Sequence, residues 1–371
     1  MYQFLKIGKK NIAGKLSFCF LLAIGFSVST MANNANSVRN LAGNSVETRQ
    51  LDTNLAQLIT NKNIPGVALA IVDEKGIQYI NTVGVANSTT RELITENSVF
   101  EMASLSKPVF AYYAMMLAEK GIYDLQKPIF DYLPHPGFEE ESLQEAKIIT
   151  GFMALGHTTG MPNWSNGQKM KLKGKPGSVF SYSGEAYQYL AAAIGMSQNL
   201  GWGKELNDQI NELVFTPLNM KYSSFVWNDV LAQNKVYGHK EGKPTDNTSI
   251  GNGESVGAAY SLHSSIKDYA AFVQTVINQK GLSADSWKEM LSEQIALPAD
   301  HDGRKIGQIA WSLGWAIKKT EDSIRYVHTG NNHDFQSYVE IDIENKVGLV
   351  YFTNSEHGAE IYESVREVLE L

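Results

Sequence analysis

Apolar residues recur three or four positions apart in several stretches of the chain, which is the spacing of an amphipathic helix. In residues 48–61 this spacing places three leucines and an isoleucine on one face, and Ile64-Pro65-Gly66 ends the run. The same pattern predicts further helices over residues 104–119, 148–155, 185–196, 206–215, 266–277 and 361–369.

Runs rich in β-branched and aromatic residues predict strands near both ends of the chain. Residues 67–72 and 77–85 form one hairpin with a turn at Gly76, and residues 309–317, 324–328, 336–343 and 347–353 follow as an antiparallel meander. We therefore predict an α/β protein of the α+β type, with one antiparallel sheet flanked by helices and completed by two distant segments. The sheet would use about residues 45–103 and 300–371, and about residues 104–299 would form a mostly helical insertion. A cleft between the two parts is the expected place for a site.

The first 32 residues have the pattern of a secretory signal peptide. Four lysines precede an apolar run over residues 16–28, and small residues follow as far as Ala32. The run is too short for a spanning helix, so we expect cleavage, a periplasmic or secreted protein, and no stable membrane span afterwards. Cys19, the one cysteine of the chain, would leave with the signal, so residues 33–371 would form a single domain without disulfides.

Composition excludes some partners and cofactors. The formal charge is −7 at pH 7, which disfavours nucleic acid as a partner. The eight histidines form no His-Glu-x-x-His pattern and have no cysteine partner, so we expect neither a metal site nor a cofactor. A polar stretch over residues 242–257, rich in glycine and asparagine, is predicted to be a long loop.

The segment Ser104-Leu105-Ser106-Lys107 combines a nucleophile with a base. If Ser104 opens a helix, Lys107 lies on the same face three residues later, and the helix N-terminus adds unpaired N–H groups for an oxyanion. Because the motif is short, Ser104 can equally be only a helix cap. A second match, Ser264-Ser265-Ile266-Lys267, is interpreted as the cap of the helix over residues 266–277, with Asp268 completing a capping box.

Two further positions are candidates for proton transfer and substrate binding. Tyr182 precedes a predicted helix and can face a cleft as an acid or base, with a pKa lowered by the Lys107 ammonium, although such a tyrosine more often only packs. His328 and Thr329 end a predicted strand, where they can hold a substrate carboxylate or carbonyl. N–H groups just beyond Gly330 would complete an oxyanion hole. A histidine at a strand end is more often a solvated surface residue.

In this order, Ser104–Lys107, Tyr182 and His328-Thr329-Gly330 resemble the three motifs of penicillin-recognising serine hydrolases. The nearest branch holds class C β-lactamases, DD-peptidases and related esterases. The resemblance covers most of the chain, because other segments also look like family landmarks: Ile64-Pro65-Gly66, Gly84, Asp124-Leu125, Leu133-Pro134, residues 156–162 and Ser255-Val256-Gly257. It implies a β-lactamase/transpeptidase-like fold and an acyl-enzyme on Ser104, with the N–H groups of Ser104 and Asn331 holding the oxyanion.

Two departures from the family pattern bear on the substrate. Gly184 stands where the second motif usually has asparagine, so it has no side chain to bind an acylamido group, which weakens a dedicated class C β-lactamase. His328 replaces the lysine of the third motif, with a charge expected to depend on pH near neutrality.

The resemblance leaves several functions open. The candidates are an esterase or amidase, a D-amino-acid peptidase acting on cell-wall peptides, and a weak β-lactamase. The alternative is a non-catalytic or slowly deacylating penicillin-binding sensor. Which of Lys107 and Tyr182 is the general base stays open.

Overall fold

A computed structural model describes residues 36–245 and 253–369. The expected signal peptide, including Cys19, and part of the predicted loop over residues 242–257 lie outside the described residues. The strands are β1 (Ser37–Arg39), β2 (Ser45–Glu47), β3 (Gly66–Asp73), β4 (Gly76–Asn87), β5 (Glu92–Leu93), β6 (Val99–Glu101), β7 (His239–Lys240), β8 (Lys243–Pro244), β9 (His263–Ser265), β10 (Ile295–Ala296), β11 (Gln308–Trp311), β12 (Ala316–Lys319), β13 (Ile324–Asn331), β14 (Gln336–Asp342) and β15 (Val347–Thr353).

Helices connect and cover these strands. They are α1 (Thr48–Asn61), α2 (Ser106–Glu119), α3 (Glu140–Ala146), α4 (Gly151–Leu155), α5 (Gly184–Ser197), α6 (Lys204–Ile210), α7 (Asp229–Gln233), α8 (Ile266–Ile277), α9 (Ala284–Leu291) and α10 (Tyr362–Val368). Short 3-10 turns at Ala103–Leu105 and Gly358–Ile361 lead into α2 and α10.

Nine strands of the described chain form one antiparallel sheet in the order β10-β11-β12-β13-β14-β15-β3-β4-β5. The N-terminal hairpin joins the C-terminal meander where β15 pairs with β3, with Thr353 opposite Val67. This pairing confirms the predicted antiparallel sheet completed by two distant segments.

The two faces of the sheet carry different layers, because successive side chains of a strand alternate between them. In β14, Val339 and Ile341 point into the main core, which includes residues of α2 and α8. Tyr338 points to the other face, where apolar residues of α1 and α10 cover the sheet. The helix α8 therefore packs on the sheet, although it comes from the part of the chain expected to form the insertion.

Most predicted elements are present, with differences at their ends. The helix over residues 48–61 is confirmed as α1. The single strand predicted over residues 309–317 is wrong: it divides into β11 and β12 around a tight turn in which Ser312 N–H donates to the Trp315 carbonyl at 2.8 Å. Gly314 permits this turn with a positive φ of 88°. The cap at Ser265 is confirmed, since its hydroxyl accepts from Asp268 N–H at 3.2 Å.

A buried ionic network lies on the face of the sheet covered by α1 and α10. The carboxylate of Glu340 is fully buried and contacts Arg325 at 3.0 Å, Arg366 at 2.9 Å and Lys318 at 3.4 Å. Burial alone would raise the pKa of Glu340, but the three cations reverse that effect and hold the pKa below its ordinary value. Glu340 thus offsets the positive charge of three cations at once, although Arg325 also contacts Asp342 at 3.3 Å.

Replacing Glu340 by Ala should destabilise the protein by about 3–5 kcal/mol, because the cations around it would lose a common partner. Urea unfolding followed by circular dichroism measures this loss. The matched control is Asp302→Ala, which breaks an exposed pair with Lys305 and should leave the unfolding midpoint unchanged. Equal midpoints for the two variants would contradict a stabilising role of the network.

Candidate active site

Ser104 lies in a turn between a small sheet and a buried helix. Strand β6 pairs with β9, the chain turns through Ala103–Leu105, and α2 begins at Ser106. Ala103 has a φ of 50°, a left-handed conformation that costs a non-glycine residue of order 1–3 kcal/mol. Ser104 is partly exposed while its neighbours on both sides are buried, so the turn presents its hydroxyl to a reactant.

Strand β13 passes unusually close to this turn, and Gly330 makes the approach feasible. A Cβ atom at Gly330 would lie 2.4 Å from the Met102 carbonyl oxygen and 2.1 Å from the Ser337 hydroxyl. The Ser337 hydroxyl donates to that same carbonyl at 2.8 Å. The third predicted motif therefore lies directly against the backbone two residues before Ser104.

Lys107 points its amine at the Ser104 hydroxyl. The Nζ atom lies 3.0 Å from Ser104 Oγ and donates to the Ala259 carbonyl at 2.9 Å. Burial disfavours the ammonium and lowers the pKa of Lys107 to about 7. Near neutral pH a large share of the protein therefore carries a neutral amine, whose lone pair can accept a proton.

Tyr182 completes the immediate surroundings of the serine. Its side chain is hydrogen-bonded to Ser104, and its ring centroid lies 4.8 Å from Lys107 Nζ. The expected lowering of its pKa is wrong: burial raises the pKa of Tyr182 above its ordinary value, and the bond to Ser104 only partly opposes this. Tyr182 is therefore a phenol at neutral pH rather than a phenolate.

Aromatic rings pack around Tyr182 and hold it in place. Sequence reasoning missed these contacts. The His157 ring lies 4.2 Å from the Tyr182 ring, and Trp311 lies 5.6 Å from it on another side. His157 Nδ1 accepts from Ser183 N–H at 3.0 Å, and burial lowers the pKa of His157 well below its ordinary value. Although residues 156–162 were a family landmark, no spacing in the sequence links residues 157, 182 and 311.

His328 is a neutral, buried side chain on the core side of β13. Burial, reinforced by Lys107, lowers the pKa of His328 to about 3, so the prediction of a charge that varies near neutrality is wrong. The His328 ring pairs through Nδ1 with the Thr329 carbonyl at 2.8 Å, and its buried Nε2 has no partner among the described residues. Thr329 is exposed and lines, with Tyr338 and Tyr362, a small cavity of about 80 Å³. Substrate binding by these two residues stays a prediction.

The backbone of Asn331 has the direction that an oxyanion donor needs. Asn332 N–H donates to the Phe335 carbonyl at 3.0 Å, towards β14. Because neighbouring N–H groups of a strand point to opposite sides, the Asn331 N–H points away from β14. On that side β12 begins only opposite Val327, which leaves the end of β13 open towards the turn of Ser104. The role of this N–H in holding an oxyanion stays a prediction.

A second ionisable group lies under the same turn. Glu101 accepts from Asn332 Nδ2 at 2.9 Å, so it ties the end of β6 to the turn after β13. Burial raises the pKa of Glu101 to about 7. Any pH dependence of this site near neutrality therefore has two candidate sources, Lys107 and Glu101.

Gly184 is the first residue of α5, and an indole fills the space above it. Its N–H donates to Asn163 Oδ1 at 2.9 Å. A Cβ atom at Gly184 would lie 2.5 Å from two ring carbons of Trp164. The position at which the family pattern usually has asparagine is thus covered by an aromatic side chain, and sequence reasoning did not connect Trp164 with Gly184.

The assembled groups suit acyl transfer: a hydroxyl beside a neutral amine, a phenol, and backbone N–H groups at the turn. Within residues 36–245 and 253–369, no three His, Cys, Asp or Glu side chains are placed to hold a metal ion. The same residues contain no helix with the length and apolar character needed to cross a membrane.

Comparison with known proteins relates this site to a family. The family model Beta-lactamase matches residues 51–370. A beta-lactamase from Yersinia enterocolitica is 24% identical over 348 residues, which cover 83% of this chain and 86% of the relative. Penicillin-binding protein 4* from Bacillus subtilis is 24% identical over 331 residues, covering 79% and 69%.

Solved structures show the same fold. D-alanine carboxypeptidase AmpC from Burkholderia cenocepacia superposes with a TM-score of 0.71 at 18% identity, over 87% of this chain and 98% of that one. The octameric penicillin-binding protein homologue from Pyrococcus abyssi gives 0.73 at 18% identity, over 87% and 77%. Since the family match spans most of the sequence, the chain belongs to the beta-lactamase family and is a serine hydrolase.

Proposed function

We propose that this protein hydrolyses uncharged carboxylic esters and amides through an acyl-enzyme on Ser104. The observation that carries the proposal is the 3.0 Å contact between Ser104 Oγ and Lys107 Nζ. Since the pKa of Lys107 is about 7 and that of Tyr182 is raised, Lys107 is the better base at neutral pH.

In the acylation step, Lys107 takes the proton of the Ser104 hydroxyl while Ser104 Oγ attacks the substrate carbonyl. The oxyanion that forms is held by the N–H groups of Ser104 and Asn331. The phenol of Tyr182 gives its proton to the leaving group and regains one from Lys107. An alcohol or amine departs, and the acyl group stays on Ser104.

In the deacylation step, a water molecule replaces the alcohol or amine and the same proton path runs in reverse. Tyr182 takes a proton from the water as the water attacks the acyl carbonyl and passes its own proton to Lys107, and Lys107 then gives a proton to Ser104 Oγ, which leaves as a hydroxyl. The products are a carboxylic acid and the free enzyme. Turnover at this step separates a hydrolase from a slowly deacylating penicillin-binding sensor.

Two features support an uncharged substrate. His328 is neutral at physiological pH, so it offers no positive charge to a substrate carboxylate. Gly184 has no polar side chain, and Trp164 covers it. Penicillins and peptides ending in D-alanine carry a carboxylate, so we rank D-amino-acid peptidase and β-lactamase activity below ester and amide hydrolysis.

We further propose that the protein acts outside the cytoplasm, in the periplasm or the medium. The support is the lysine-rich start and short apolar run of residues 1–32. Intact-mass measurement of the protein recovered from the periplasm or medium should show a chain that starts near residue 33. Recovery of the full-length chain from the cytoplasm alone would contradict this.

Replacing Ser104 by Ala should abolish hydrolysis of p-nitrophenyl acetate, because it removes the nucleophile. The unmodified protein should hydrolyse nitrocefin and a D-Ala-D-Ala peptide more slowly than it hydrolyses p-nitrophenyl acetate. Faster hydrolysis of either than of the ester would contradict the proposed substrate class. The matched control is Ser264→Ala, which alters the other Ser-x-x-Lys segment.

Ser264 is buried and hydrogen-bonded to Ser223 at 2.8 Å, so its loss should cost about 1 kcal/mol of stability but leave activity nearly unchanged. A fluorophosphonate adduct mapped by mass spectrometry should lie on Ser104. An adduct on Ser264 would overturn the assignment.

The value of kcat/KM should rise with pH and level off above about pH 7, because only the neutral form of Lys107 accepts the serine proton. Because the pKa of Tyr182 is raised, its ionisation should not lower kcat/KM up to about pH 9. Glu101→Gln keeps an acceptor for Asn332 but removes the charge, so the rise should persist in this variant. Loss of the rise in Glu101→Gln would assign it to Glu101 instead.

Tyr182→Phe should lower turnover by about 10² to 10⁴ at every pH.

A further inference from the structure

Trp164 is held rigidly at its base and exposed at its ring. Its loop is tied to the start of α5, because the Asn163 side chain accepts from Gly184 N–H and the Asn163 carbonyl accepts from Glu185 N–H, both at 2.9 Å. On the other side, Ser165 Oγ donates to the Glu185 carboxylate at 3.0 Å. Trp164 as a whole residue nevertheless remains 39% exposed, which is unusual for a large aromatic residue held this firmly.

The indole lies against the backbone two residues beyond Tyr182. The end of the ring occupies the space of a Gly184 side chain, since a Cβ there would lie 2.5 Å from Cη2 and Cζ2. Any other residue at position 184 would push the indole away. The indole of Trp164 can therefore occupy this position only because Gly184 has no Cβ atom.

A second aromatic residue extends this surface towards the catalytic lysine. The rings of Trp164 and Tyr260 lie 5.7 Å apart at an angle of 71°. Tyr260 follows Ala259, whose carbonyl accepts from Lys107 Nζ at 2.9 Å. Tyr260 is half-buried and Trp164 is exposed, so the pair keeps ring surface open to solvent on segments that adjoin Tyr182 and the Ala259 contact of Lys107.

We propose that Trp164 and Tyr260 form a binding face for an aromatic ring of the substrate. This inference rests on the proposed ester and amide hydrolysis by Ser104. Two fixed, partly exposed rings lose little freedom when a third ring packs against them, and edge-to-face or offset contacts favour flat groups over puckered ones of equal size. The ring belongs to either the acyl group or the leaving group, and both positions are open to test.

Thioesters test both positions with one assay, the release of a thiol detected by Ellman's reagent. The acyl arm compares S-ethyl thioesters of phenylacetic and cyclohexylacetic acid. The leaving-group arm compares S-benzyl with S-cyclohexylmethyl thioacetate. In each arm the two substrates have similar size and differ in flatness, so the ratio of their kcat/KM values reports ring recognition.

We expect the unmodified protein to prefer the aromatic member of one arm by about 3- to 10-fold, the range of an aromatic pair. Trp164→Ala should bring that ratio close to one, and Trp164→Phe should restore part of it. Gly184→Ala leaves the indole in the chain but displaces its end, so this variant should lower the ratio as well.

The control is Leu93→Ala, which truncates another exposed apolar side chain. Leu93 lies in β5 at the far edge of the sheet, five strands from β13, which is about 24 Å at the usual spacing of strands. Its replacement should leave both ratios unchanged. Near-UV circular dichroism verifies that each variant keeps its packed core.

The outcomes separate this inference from the proposed function. Thiol release that disappears in Ser104→Ala, with no aromatic preference or with a preference that survives Trp164→Ala, overturns the binding face but keeps the hydrolase. Absence of any release dependent on Ser104 overturns both. A preference that Trp164→Ala and Gly184→Ala both reduce supports the inference.

Discussion

The backbone contact between Gly330 and Met102 holds the two halves of the site together. On one side, Met102 is fixed to the sheet, because its carbonyl accepts from Ser337 and leaves no room for a side chain at Gly330. On the other side, its N–H donates to the Leu262 carbonyl at 2.9 Å, ahead of β9. The position of Ser104, two residues later, follows from this double attachment, and so does the direction in which α2 leaves the sheet.

Within that frame, burial sets the chemistry of the side chains more than neighbouring charge does. It lowers the pKa of Lys107 and His328 and raises the pKa of Tyr182, so His328 and Tyr182 are neutral near pH 7 and Lys107 is neutral in a large share of the molecules. On the other face of the sheet, in the ionic network around Glu340, buried side chains instead stay charged and pair with one another. One sheet thus separates a site in which burial favours neutral forms from a structural cluster of charged side chains.

Local patterns predicted much of this structure, and contacts between distant segments account for the rest. The leucine spacing of α1 and the Ser104–Lys107 interval are local, and both gave correct geometry. The charge of His328 was predicted wrongly, because its pKa depends on burial by segments far away in the sequence. The same holds for Trp164, whose partner Gly184 has no side chain to signal the contact. The split between β11 and β12 was missed because residues 309–317 are apolar except at Ser312 and Gly314, which lie in the turn between the two strands.

The pairing of β3 with β15 also limits how the molecule can fold. The two strands lie near opposite ends of the described chain, so their hydrogen bonds close a loop that contains nearly every other element. Non-local pairings of this kind form slowly, since the entropy of a long loop is lost before any contact is gained. Until β15 pairs with β3, the edge of β3 in the β3–β4 hairpin stays unpaired, and such an edge is a template for association with other chains. During synthesis the centre of the sheet is therefore among the last parts to be completed.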